Sequence, residues 1–336
     1  MEAEPPLCNV DDPSVSCLYN PIEIDRRFND KPLEVAARLA MISLAAARIK
    51  LASDGGATLR AELGALGPVF CKVGQTMATR PDIVGLETSR NLGQLQDAIA
   101  PEPDPAVAMA TLSDALGGDV GTFLTNISAA PVAAASLAEV YRANLVDSGK
   151  AVRCPSPSPP PSLLSVPTSH IHPIPPQVAV KIQRPGLERK VALDFYVLRQ
   201  LLALAQKQFK IGGDVEVVVA VLDEVGSGIF SELDFKIEGS NINRFRSTYG
   251  KRLEEMRVVV PYVVDELTST RVLVTEWIDG IAPRDLSSAR RQDLAKVAVR
   301  CLAMQLMSDG FIHCDPHEGN LLGLQAIPPP APPPAP

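Results

Sequence analysis

The stretch His313-Cys-Asp315-Pro-His-Glu-Gly-Asn320 decides how this chain is read. An aspartate with a histidine two residues before it and an asparagine five after it has the spacing H-x-D-x-x-x-x-N of a kinase catalytic loop. That chemistry needs a carboxylate to position an acceptor hydroxyl or water, and an amide oxygen to hold a magnesium ion. Two plainer readings stay open for the octapeptide alone. One is a polar turn that ends a helix; the other is a metal site on His313 and His317. Pro316 and Gly319 break the helix that i, i+4 ligands need, which counts against the metal site.

Upstream of the loop, Leu294, Val297, Ala298, Cys301 and Leu302 follow helical spacing and predict a helix over about 286–308, stopped by Gly310. Before it, Thr275-Glu276-Trp277-Ile278-Asp-Gly280 reads as a strand running into a glycine turn. A kinase hinge would read adenine there, through the backbone at Glu276 and Ile278. Val178-Ala-Val-Lys181 is a strand with its lysine on one face, the type of lysine that meets nucleotide phosphates in kinases. No G-x-G-x-x-G loop precedes it. Ala133, Ala134, Ala135 and Ser136 stand in its place, keeping side chains small near a phosphate while giving up the positive-φ freedom of glycine.

The pattern predicts a strand over 137–145, helices over 187–209 and 215–246, and two strands, 258–264 and 271–278, joined as a hairpin through 265–270. The first third reads as an extended leader over 1–29, then helices over about 30–49, 58–98 and 105–116. Arg38, Arg48 and Lys50 interrupt the first of these. Helices, then a small mixed sheet, then helix give an α+β class.

Of 336 residues, 46% are hydrophobic and 21% charged, enough for a sizeable core. The net charge is −7 with no long basic run, so nucleic acid is not expected as a partner. Six scattered cysteines without a C-x-x-C pair suit a reduced intracellular protein. No transmembrane segment is predicted, and the acidic start Met-Glu-Ala-Glu shows neither signal nor transit peptide. Prolines number 31, of which nine fall between Val152 and Gln177 and seven between Pro328 and Pro336. Both stretches are expected to be disordered.

With these motifs go Lys72-Val-Gly74-Gln75, Glu232-Leu-Asp234 and Glu238. Together and in this order they resemble the UbiB family of atypical protein-kinase-like proteins, through its K-x-G-Q, alanine-rich-loop, E-x-D and D-P-H-x-G-N motifs. The resemblance implies a bilobal protein-kinase-like fold with a helical N-terminal extension lying across the substrate site. It implies that Lys181 contacts ATP or ADP phosphates, Glu238 holds that lysine, and Lys72, Gly74, Gln75, Glu232 and Asp234 close the pocket. Asp315 would position the nucleophile and Asn320 would bind Mg2+. The implied partners are the nucleotide, a prenyl lipid of quinone metabolism and a membrane surface. Tyr19-Asn-Pro-Ile-Glu-Ile-Asp25 and Lys31-Pro-Leu-Glu-Val are similar to the opening of plastid and cyanobacterial members, which points to the chloroplast, with the mitochondrion as the alternative.

The expected organisation is a leader (1–29), a helical extension (30–117), an N-lobe (118–280) interrupted by the proline-rich insert (152–177), a partial C-lobe (281–324) and a proline-rich tail (325–336). Sixteen residues follow Asn320 and none is charged, so no D-F-G aspartate is among them. The C-terminal lobe is therefore expected to be truncated and phosphoryl transfer impaired. The alternative function is a catalytically inactive pseudokinase acting as a lipid- or protein-binding scaffold.

Overall fold

The computed structural model describes residues 19–96, 104–146, 177–209, 215–308, 310–314 and 318–324. The proline-rich insert (apart from Gln177), the tail from residue 325, and Asp315 lie outside the described residues.

The described part of the chain opens with α1 (Pro21–Phe28), where the sequence predicts an extended leader. The helix forms because Asn20 accepts hydrogen bonds from the amides of Ile22 and Glu23, at 3.1 and 3.2 Å, and Pro21 suits the first turn. Its i, i+4 pair Ile24 and Phe28 is fully buried. Helix α2 (Pro32–Leu51) follows.

The single helical pattern expected over 58–98 divides into α3 (Ala57–Leu66), α4 (Pro68–Ala78), α5 (Pro81–Val84) and α6 (Leu86–Gly93). The corner between α3 and α4 is Gly67, at φ +110°, a conformation that disfavours any side chain. A β-carbon there would also meet the Lys190 side chain at 2.6 Å. Helix α7 (Pro105–Leu116), capped by Asp104, then leads to the sheet.

The sheet is antiparallel throughout. Strands β1 (Leu124–Thr125), β3 (Ala138–Leu145), β4 (Gln177–Gln183) and β5 (Val272–Glu276) lie in that order, with β2 (Ala133–Ala134) also paired to β3. Register sets Val140, Lys181 and Leu273 side by side in one row, and Arg142, Ala179 and Thr275 in the next. The alternate residues Tyr141, Ala143, Val178, Val180, Ile182, Val272 and Val274 form the other face, where Ala108 and Leu112 of α7 cover them. Thus α7, which the expected boundary assigns to the helical extension, packs on the sheet.

Helices α8 (Leu187–Phe209) and α9 (Val215–Glu232) pack with α1 and with Val69 of α4 in a second core. The helix expected over 215–246 breaks at Leu233-Asp234 and resumes as α10 (Phe235–Glu255), because Asp234 takes an extended conformation and accepts the Lys236 amide at 2.9 Å. The hairpin expected between 258–264 and 271–278 is reduced to one bridge, Val263 to Thr275, because residues 265–267 coil into a 3-10 turn. Strand β6 (Gly280–Ile281), α11 (Ser288–Met307) and β7 (Gly323–Leu324) complete the described chain, with β6 and β7 antiparallel.

Helix α2 is joined to α8 by a buried ion pair. The Nε of Arg38 donates to Asp194 Oδ1 at 2.5 Å, and another Arg38 nitrogen donates to the Leu66 carbonyl at 2.6 Å. Burial pushes the Asp194 carboxyl above its usual range and Arg38 draws it back in part; its second oxygen has no hydrogen-bond partner among the described residues.

Gly74 lies where α4 meets its neighbours. A β-carbon at that position would approach Leu95 Cδ1 at 2.4 Å and Leu63 Cδ1 at 2.9 Å, inside the buried Leu63–Cys71–Leu92–Leu95 cluster. Alanine is the better helix former by about 1 kcal/mol, yet overpacking a filled core costs about 1–3 kcal/mol. Gly74→Ala is therefore expected to lower the urea midpoint of unfolding; a raised midpoint would show that the contact with these leucines relaxes freely.

Candidate functional site

Strand β4 carries Lys181 on the sheet face opposite α7, the face toward α10, and α10 carries Glu238 in its first turn. The lysine ammonium lies 2.8 and 2.7 Å from the two carboxylate oxygens of Glu238, a two-point contact. The Phe235 ring lies 4.8 Å from the same nitrogen. Both charged side chains keep a third or so of their surface open, so the lysine is oriented without being sealed.

A second lysine–glutamate pair sits on the other side of the α9–α10 corner. Lys72 of α4 meets Glu232, the last residue of α9, at 2.6 Å. The K-x-G-Q lysine and the E-x-D glutamate thus touch directly, and the extension is tied to the corner from which Glu238 projects. Asp234 is buried as the cap of α10. Gln183, the last residue of β4, donates to the Leu233 carbonyl at 2.8 Å, which fixes the corner to the lysine strand. Gln75 is half-buried. Beside Lys72, burial pushes the Cys71 thiol up, as expected of an inert structural cysteine.

The alanine-rich segment is a hairpin. Ala133 and Ala134 pair with Val140 and Glu139, and the Ala135 amide donates to the Ala138 carbonyl at 2.8 Å. Arg184 holds the turn, with its Nε at 3.0 Å from the Ala135 carbonyl and its amide at 3.0 Å from the Leu137 carbonyl. Ala133, Ala134, Ala135 and Ser136 all keep negative φ. Alanine is therefore no strain here, and it leaves the turn stiffer than glycine would.

At the far end of the sheet, the amide of Glu276 donates to the Tyr262 carbonyl at 2.7 Å, and its carboxylate accepts the Tyr262 amide at 3.2 Å. The next amide, of Trp277, donates to the Gln177 carbonyl at 3.0 Å. No hydrogen bond engages the Ile278 amide among the described residues. Arg142 stacks on the Trp277 indole at 4.9 Å.

The catalytic-loop segment leaves α11 through His313, whose amide donates to Gln305 Oε1 at 2.8 Å, while Tyr249 of α10 holds the Phe311 carbonyl at 2.9 Å. Asn320 is exposed in a one-turn 3-10 helix, residues 318–320. Asp315, with its two following residues, is outside the described residues. Two positioning residues escape the motifs altogether: Arg38 and Asp194, which fix α2, and through the Leu66 carbonyl the start of α4, relative to α8. Their signal is a charge set inside an apolar run, Val191-Ala-Leu-Asp194-Phe-Tyr-Val197, matched by a charge on the apolar face of α2.

Because Lys72 and Glu232 are both part-exposed, their pair is expected to hold position more than to add stability. Lys72→Met is expected to change unfolding free energy by less than about 1 kcal/mol, measured by urea titration. A loss above about 3 kcal/mol, the size typical of a broken buried pair, would contradict this.

Residues 94–154 and 172–326 match the ABC1 atypical kinase-like domain. A chloroplastic aarF domain-containing protein kinase of Arabidopsis thaliana is 34% identical over 318 residues, 90% of this chain and 41% of the relative. Activity of BC1 Complex Kinase 3, chloroplastic, of the same plant, is 32% identical over 325 residues, 91% of this chain and 41% of that protein. A probable protein kinase UbiB of Shewanella woodyi is 28% identical over 272 residues, 80% of this chain and 44% of that protein. The chain therefore spans about two fifths of the length of the curated relatives it matches. The α+β architecture, the lysine strand joined to α10 and the match over most of the chain agree: the chain belongs to the UbiB/ABC1 family of atypical kinase-like proteins.

Proposed function

We propose that this chain binds ATP or ADP with magnesium between the alanine-rich hairpin and the hinge strand, as part of an ATPase or small-molecule kinase acting in prenyl-lipid or quinone metabolism. The observation that carries the reading is the two-point Lys181–Glu238 contact on the face shared with Val140, Ala179 and Leu273. A lysine held this way presents a fixed positive charge to phosphate oxygens. The small, apolar Ala179 and Val140 suit the flat face of a base, and the Ile278 amide supplies a donor at its edge.

Asn320 offers an amide oxygen to magnesium. Among the described residues no cluster of three or more acidic, histidine or cysteine side chains forms a cage. Magnesium usually takes one or two protein carboxylates together with the nucleotide's own phosphates, so Asn320 would be one ligand beside those phosphates. When bound, the ion would neutralise charge on the phosphate oxygens. Asp315 is assigned to positioning the attacking hydroxyl or water. In this reading Lys72 and Glu232, with Gly74, Gln75 and Asp234, regulate access by keeping α4 against the corner. Two of the relatives carry a chloroplastic designation, which supports a plastid location.

Titration with a fluorescent ADP or ATP analogue tests the proposal. The full chain is expected to bind in the presence of magnesium, and Lys181→Ala is expected to weaken binding by at least about tenfold, or 1.4 kcal/mol. No binding by the parent chain, or equal binding by Lys181→Ala, would contradict it and favour a nucleotide-independent scaffold.

A further inference from the structure

Helix α2 carries two apolar faces, and among the described residues only one of them is covered. Val35, Leu39 and Ile42 pack on the α1–α8–α9 core, and Arg38 and Ala45 are buried beside them. On the opposite side, Leu33, Ala37, Ala40, Leu44, Ala47 and Leu51 are exposed at alternating spacings of four and three. Leu33 and Leu51 retain 87% and 86% of their surface, and Leu44 and Met41 about half. Spacing of this kind keeps one seam aligned with a facing helix, as in coiled coils. Over this length the seam runs about 27 Å at 1.5 Å per residue.

We propose that this seam is a homodimer interface in which α2 packs antiparallel against α2 of a second copy of this chain. The seam is self-complementary about a two-fold axis level with Ile42. Antiparallel pairing sets Leu33 against Leu51, Ala37 against Ala47 and Ala40 against Leu44 of the second copy. On one flank, Met41 then meets Met41, and Glu34 meets Arg48, twice by symmetry. Each of these charges already has a partner in its own chain, Arg189 for Glu34 and Glu62 for Arg48. The dimer would join them into one alternating row, Arg189–Glu34–Arg48–Glu62, across the interface. A parallel pair offers no such match: it would set Arg48 against Ser43 and Met41 against Ala36. Charge complementarity therefore selects both the occupant and its direction.

Light scattering on the full 336-residue chain tests this. Twice the 35.9 kDa chain mass is expected, with Leu44→Glu returning it to the single-chain mass and leaving the circular dichroism spectrum unchanged. Ser43→Cys, treated with a short bismaleimide, is expected to give a cross-linked dimer band beyond that of the parent, since only antiparallel pairing brings the two copies of residue 43 to the same flank. A parent chain that stays monomeric throughout its soluble range would overturn the proposal. So would a dimer indifferent to Leu44→Glu, or a monomer that floats with anionic lipid vesicles and ceases to do so on Leu44→Glu.

Discussion

The contact between Arg38 and Asp194 is the constraint from which the site's geometry follows. Asp194 is wholly buried in α8, on a stretch whose Val191, Phe195 and Val197 are buried too, where an unpaired carboxylate would be costly. The guanidinium that meets it comes from α2, and its Nη2 also donates to the Leu66 carbonyl at the end of α3. Three helices are thereby fixed by one side chain. Gly67 then turns the chain into α4, which brings Lys72 to Glu232. A buried pair of this kind adds little net stability over an apolar alternative, but losing one partner costs about 3–5 kcal/mol. Its value here lies in fixing position, because apolar packing alone would let α2 slide along α8.

From that fixed frame the two lysine–glutamate pairs form one mechanical unit. Glu232 and Glu238 flank the Leu233-Asp234 corner, and the corner is held on one side by the Asp234 cap and on the other by Gln183 from the lysine strand. A movement of α4 would be felt at Glu232, and through the corner at Glu238 and Lys181. The extension and the lysine are coupled by contacts a few ångströms long, with the pairs left partly open to solvent and so easily remade.

Much of this was legible in the sequence. The lysine strand and the last helix follow from short local patterns, because alternation and helical spacing report faces directly, whereas both glutamates enter only through the family resemblance. Three things were not. Helix α1 is short, and its Asn20-Pro21 start lies in a stretch whose pattern predicts an extended leader. The break between α9 and α10 falls inside a continuous helical pattern, where a single capping aspartate outweighs propensity. The strand expected over 258–264 carries suitable residues, yet the 3-10 turn at 265–267 leaves only Val263 in register. Arg38 and Asp194 are long-range partners 156 residues apart, and a sequence shows only that each is a charge in apolar company.

Hydrogen exchange, read by mass spectrometry on Arg38→Met beside the parent chain, tests the central claim most directly. If Arg38 fixes the extension on the lobe, amides of α2, α3 and α4 exchange faster in the variant while those of β3, β4 and β5 keep their protection. Unchanged exchange in α4, or equal acceleration of the helices and the sheet, would contradict the account.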